Sequence, residues 1–95
     1  MTEILVSRIL NALLKKGFIQ DQTHHTMLWF TYDGRKTPMH TWFSHGQRKA
    51  DDSLIRLIAK ELGLTRKELL EFVGCTLSED DYAALLTERG YLRRP

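Results

Sequence analysis

Ninety-five residues, 42 % hydrophobic and 27 % charged, suit one globular domain with a single modest core. No apolar run approaches the ~20 residues that span a bilayer, and Glu3 sits where a signal peptide would carry basic residues. The lone Cys75 excludes an internal disulfide and reads as a small buried residue or inert thiol, so a cytoplasmic protein without a membrane partner is expected.

Residues 2–16 carry Leu5, Ile9, Ala12, Leu13 and the Lys16 stem at helical spacing. Thr2 can cap this helix, Lys15 and Lys16 suit its negative end, and Gly17 can stop it. The period then changes. Phe18-Ile19-Gln20 predicts a short strand, with a turn around Asp21-Gln22. Residues 24–32 are rich in β-branched and aromatic side chains and predict a second strand. Asp33-Gly34 is a two-residue hairpin signal, and residues 35–43 return as a third strand. Pro38 cannot donate to a ladder, so that strand belongs at the sheet edge.

Closing the hairpin at residues 33 and 34 sets Tyr32 opposite Arg35, Leu28 opposite Met39 and His25 opposite Trp42. One face then carries Leu28, Phe30, Tyr32, Thr37, Met39 and Phe43, the set expected to pack on helices. The other carries His25, Met27, Trp29, Thr31, Lys36, Pro38, His40 and Trp42, a mixture of rings and a cation. A slip of one residue would exchange the two faces.

Residues 44–50 read as a polar, basic loop. Asp52 or Ser53 can cap a helix bearing Leu54, Ile55, Leu57, Ile58 and Leu62, ended by Gly63. Thr65 with Glu68 forms a capping box, and Leu64 with Leu69 a hydrophobic staple, for a third helix ended by Gly74. Leu77-Ser78 repeats the arrangement before a fourth helix over residues 79–89. The order α-β-β-β-α-α-α predicts an α+β two-layer domain with a three-stranded antiparallel sheet. Residues 1–63 form its core and residues 64–92 a C-terminal helical extension.

The first half of the chain holds the candidate chemistry. Between Lys15 and Lys49 the cations Lys15, Lys16, Arg35, Lys36, Arg48 and Lys49 stand against only Asp21 and Asp33, and all four histidines fall among them. Metal-free RNA cleavage needs one group to take the proton of the attacking 2′-hydroxyl and another to protonate the leaving oxygen. Histidine can do either near neutral pH. Cations can stabilise the transition-state phosphate, and Trp29 and Trp42 can stack unpaired bases. The same pattern also fits surface histidines beside core tryptophans. For a metal, His24 and His25 point to opposite faces of a strand, and His25 with His40 gives two ligands where zinc takes three or four. No cofactor is expected.

Residues 55–73 offer a second reading, a DNA-binding helix-turn-helix with small Ala59, turn Gly63 and buried Leu69 and Phe72. Arg66 and Lys67 suit a major groove; apolar Leu70 and acidic Glu68 and Glu71 do not. Two core helices joined by a tight turn explain the same positions. A non-catalytic protein-interaction module is a third reading.

Leu13-Leu14-Lys15-Lys16-Gly17-Phe18, Thr23-His24-His25, Asp33-Gly34-Arg35 and a helix beginning near Ser53-Leu54 together resemble the HicA toxins over residues 5–72. The resemblance implies a double-stranded-RNA-binding-domain-like fold, a histidine-dependent mRNA endoribonuclease activity and neutralisation by a HicB-like antitoxin. Thr23 matches the family's serine and His24 its functional histidine. Gln22 replaces a family glycine, the second strand is longer than usual, and Ser44-His45-Gly46 stands near the place of a Pro-x-His element. The resemblance ranks His24 first as catalytic residue and His25 second. RNA would be held by Trp29, Arg35, Lys36, His40, Trp42, His45, Arg48 and Lys49.

Overall fold

The computed structural model describes residues 3–22, 25–74 and 76–92. Among them the chain forms a small α+β domain with a three-stranded antiparallel sheet, a two-residue ribbon and four helices. The elements are β1 (Ile4–Leu5), α1 (Val6–Leu14), β2 (Phe18–Gln22), β3 (Thr26–Tyr32), β4 (Arg35–Phe43), β5 (Lys49–Ala50), α2 (Asp52–Glu61), α3 (Arg66–Val73) and α4 (Glu79–Glu88). The main sheet runs β2-β3-β4, and β1 pairs with β5.

The first helix starts later than its periodicity predicts. Ile4 pairs with Ala50 and Leu5 with Lys49, so backbone expected in the helix is extended instead. The Val6 amide then donates to the Arg48 carbonyl at 2.9 Å, anchoring the helix start to the ribbon. The expected Thr2 cap lies outside the described residues. Asp51, rather than Asp52 or Ser53, caps α2 by accepting the Leu54 amide at 2.9 Å. The capping box predicted for α3 is present: Glu68 accepts from the Thr65 amide at 2.8 Å and Thr65 accepts from the Glu68 amide at 3.2 Å. Ser78 and Asp81 repeat the motif at α4.

In the sheet, β2 runs through Asp21-Gln22, where a turn is expected, and β3 begins at Thr26 rather than at residue 24. Asp33 and Gly34 both take positive φ, 54° and 75°, the backbone of the predicted tight hairpin. Tyr32 faces Arg35 as expected, but beyond Thr31 the register shifts. Leu28 faces Thr41 rather than Met39, and Trp42 faces Met27 rather than His25.

A bulge at Thr37-Pro38-Met39 causes the shift. Three β4 residues lie against the single residue Phe30, between the pairs Thr31–Lys36 and Trp29–His40. The Thr37 hydroxyl donates to the Phe30 carbonyl at 2.8 Å, replacing a ladder bond in the segment where Pro38 has no N–H to give. An offset of two residues preserves alternation, so the predicted division between faces survives. Leu28, Phe30, Thr37, Met39 and Phe43 are buried, with Thr26 and Thr41 beside them. Tyr32, assigned to the same face, is exposed near the hairpin tip.

All four helices contribute to the core on that side. Phe18, Phe30, Phe72 and Tyr82 form one aromatic cluster; Phe30 meets Tyr82 edge-on at 4.7 Å and Phe72 lies 4.8 Å from Tyr82. The buried Tyr82 hydroxyl donates to the Leu62 carbonyl at 2.8 Å. Burial pushes the Tyr82 hydroxyl far above the ordinary tyrosine range, so it remains a neutral donor. Residues 64–92 therefore share the core with the sheet through Leu69, Phe72, Tyr82 and Leu86.

Lys16 is buried with the apolar positions that share its stem's helical spacing, but its charge does not serve the end of its own helix. The ammonium donates to the Phe72 carbonyl, and to the Leu77 carbonyl at 2.7 Å. It also lies 4.6 Å from the centre of the Phe72 ring. A cation thus closes the carbonyl end of α3, where the helix dipole favours positive charge.

Candidate nucleic-acid interface

The face of β2-β3-β4 opposite the helices carries most of the rings expected there. Alternation along β3 sends Met27, Trp29 and Thr31 outward while Leu28 and Phe30 turn into the core. On β4 the same rule sends out Lys36, His40 and Trp42. Trp29 stacks on His40 with centroids 4.4 Å apart and planes at 24°. His25 lies against Trp42 at 4.3 Å and 36°. The Lys36 ammonium is 4.9 Å from the Trp29 ring centre. His25 and Trp42 are exposed, and Trp29 and His40 half-buried, so no helix among the described residues seals these rings.

His40 has a defined hydrogen-bonding state. Its Nδ1 is 2.9 Å from the Pro38 carbonyl oxygen, which can only accept. A carbonyl oxygen calls for a donor, so Nδ1 bonds it as Nδ1–H. The loop that makes room for Pro38 in the bulge also sets the tautomer of this imidazole.

The predicted residues divide by position. His25, Trp29, Lys36, His40 and Trp42 share the open face. Arg35 is exposed at the hairpin, but alternation turns it to the side opposite Lys36. His45 is exposed in the segment after β4. Arg48 and Lys49 belong to the region of the β1-β5 ribbon. Arg48 lines an apolar hollow of about 360 Å³ with Leu5, Val6, Ser7, Leu10 and Gln47, and Lys49 lies 3.9 Å from Glu3. Thr23, His24 and Cys75 lie outside the described residues.

The face holds two residues the sequence reading did not assign to it, Ile19 and Asp21. Ile19 pairs with Trp29 and Asp21 with Met27, and both are exposed. Alternation from buried Phe18 gives the same placement once β2 is extended to Gln22.

In the helix-turn-helix region, α2 and α3 do join through a tight turn, but Arg66 and Glu68 of α3 are engaged within the domain. Arg66 donates to Asp52 at 2.5 Å, and this bond, the largest influence, holds the Asp52 carboxyl below its ordinary range. Arg89 grips Glu68 with two bonds of 2.9 and 2.6 Å. That grip, more than the Thr65 backbone bond, lowers the Glu68 carboxyl to about 2. Lys67 is exposed. Among the described residues, no group of three or more histidine, cysteine or acidic side chains could hold a metal ion, and no helix is long and apolar enough to cross a membrane. No protein-family model, curated protein or solved structure matches this chain.

Proposed function

We propose that the chain is a HicA-like RNA-binding protein that lays RNA on the open face of β2-β3-β4 and cleaves mRNA with histidine chemistry. The two uncovered indole–imidazole pairs, at 4.4 and 4.3 Å, carry this reading. Aromatic rings left open on a sheet are suited to bases, because every base has a flat face to stack. The helix before the sheet and the helix after it match the double-stranded-RNA-binding-domain-like order that the resemblance implies. Internal ion pairs at Arg66 and Glu68 disfavour DNA reading by α3.

In this reading His24 is the principal acid–base group and His25 the second. One imidazole takes the proton of the 2′-hydroxyl as it attacks the adjacent phosphate; a second protonates the departing 5′-oxygen. Lys36, on the open face beside Trp29, supplies positive charge to the phosphate. The protein works in the cytoplasm and is restrained by a HicB-like antitoxin.

The test is RNA cleavage by the purified chain and by His24→Ala and His25→Ala variants, with circular dichroism to verify folding. His24→Ala is expected to lower the cleavage rate at least about 100-fold, the usual scale of a lost general acid or base. Cleavage should persist in a chelator. Undiminished cleavage by both variants would remove these histidines from the mechanism.

A further inference from the structure

We infer that this face accepts RNA as a single, unstacked strand, with two bases seated on two ring stations along β3 and β4. The inference rests on the RNA-binding reading and narrows it to unpaired, extended substrate.

One station is the Trp29–His40 pair and the other the His25–Trp42 pair. His40 and Trp42 are two residues apart on β4, while Trp29 on β3 and His25 just before it are four apart, so at least two residues of strand separate the stations. Two residues of antiparallel strand advance about 6.8 Å. Nucleotides stacked in a helix advance only about 3.4 Å along one strand. Neighbouring bases still stacked on one another therefore cannot occupy both stations. Neighbouring bases that part, each turning to a ring, can. A duplex fails for a further reason: A-form RNA presents base edges and hydroxyls in its open groove, not ring faces.

Charge on the face points the same way. Among the described strand residues, Lys36 is the only lysine or arginine turned to this side, and it lies beside the Trp29 station. Asp21, opposite Met27, adds a negative border on β2. A phosphate chain is thus repelled from β2 and directed along β4, with one lysine to neutralise it. Such a face binds by stacking more than by charge, whereas a duplex-binding surface needs many phosphate contacts.

The chain's two tryptophans are the two stations, so intrinsic fluorescence reports the bases directly. The full chain is titrated with an oligoadenylate single strand, and with the same strand annealed to its complement, while anisotropy of a labelled strand measures binding. The single strand is expected to quench the fluorescence and the duplex to bind weakly without quenching. Trp29→Phe and Trp42→Phe, which keep a ring and leave one indole each, should both still be quenched. Trp42→Ala should weaken single-strand binding roughly tenfold, the scale of one lost stacking partner. Lys36→Ala should reduce the slope of log affinity against log salt by about 0.7, one phosphate's share for a single strand. Equal binding of duplex without quenching, or quenching in only one of the two single-indole variants, overturns the two-base strand while RNA binding stands. Binding of no RNA of either kind overturns both readings.

Discussion

Two lysines, one on each side of the sheet, hold their ammonium groups against aromatic rings at nearly the same distance. Lys16, on the helix side, is 4.6 Å from the Phe72 ring centre; Lys36, on the open side, is 4.9 Å from that of Trp29. The surroundings differ. Lys16 is sealed and donates to two backbone carbonyls at the end of α3 and the following turn. Lys36 is exposed on a strand whose neighbouring rings are open. A cation on a ring is thus a structural clamp where water is excluded. Where water remains, the same contact is weak enough to exchange for another partner. The helix side is committed to holding the chain together, and the open side is left able to bind.

Removing each lysine sharpens that contrast, and the largest effect falls on Lys16. Lys16→Met keeps the stem but leaves the Phe72 and Leu77 carbonyls without their charged donor. Buried groups that lose such a partner cost about 1–3 kcal/mol each, so a loss of about 3 kcal/mol in urea unfolding is expected. Lys36→Met should change the same measurement by less than about 0.5 kcal/mol, as for an ordinary surface position. Equal losses would mean that both sides of the sheet are structural.

How legible these two sides are in the sequence differs in an instructive way. The open face is readable because Asp33-Gly34 specifies a tight turn, and alternation then places Trp29, His40 and Trp42 together. The exact pairing is not readable, since the bulge depends on the Thr37 hydroxyl reaching the Phe30 carbonyl. Its two-residue offset left the faces intact; an offset of one would have exchanged them. The caps at Thr65 and Ser78 are legible because their partners lie three residues away. Lys16 is not, because its carbonyl partners lie 56 and 61 residues further along the chain. Nor is the ribbon of Ile4–Leu5 with Lys49–Ala50, since two residues are too few to show a period. Local chemistry is written locally; a long-range contact with one charged group leaves no pattern.

A second clamp on the helix side gives the next largest effect. Arg89 joins α4 to α3 through Glu68 and also donates to the Gly63 carbonyl at 2.8 Å. The Glu68 carboxyl is lowered from 4.5 to about 2, chiefly by Arg89. A carboxyl lowered on folding stabilises the native state fully above its unfolded value. That contribution is lost as pH falls from 4.5 toward about 2. Glu68→Gln is expected to cost about 1 kcal/mol at neutral pH, the scale of a well-formed surface pair with charge-assisted bonds. Measured by urea unfolding from pH 7 to pH 3, the gap between the two proteins should narrow on the acid side. A gap that stayed constant would show that Glu68 acts through its cap rather than its charge.

The smallest stability effect belongs to the open face, where the comparison is most exposed to failure. Trp42 is the more accessible indole, at 40 % exposure, and its neighbours across the strand are Met27 and the His25 ring. Truncating it removes the cross-strand pair with Met27 and the contact with the His25 ring, so Trp42→Ala should cost about 0.5 kcal/mol in urea unfolding. Leu28→Ala, on the adjacent strand β3 but fully buried beneath the helices, should cost several times more, about 3 kcal/mol. Were Trp42→Ala to destabilise the chain as much as Leu28→Ala, the rings would be a second core. A face whose rings are needed for folding is poorly placed to give them up to a ligand. A face that can lose its largest ring and remain folded is free to be shaped by what it binds.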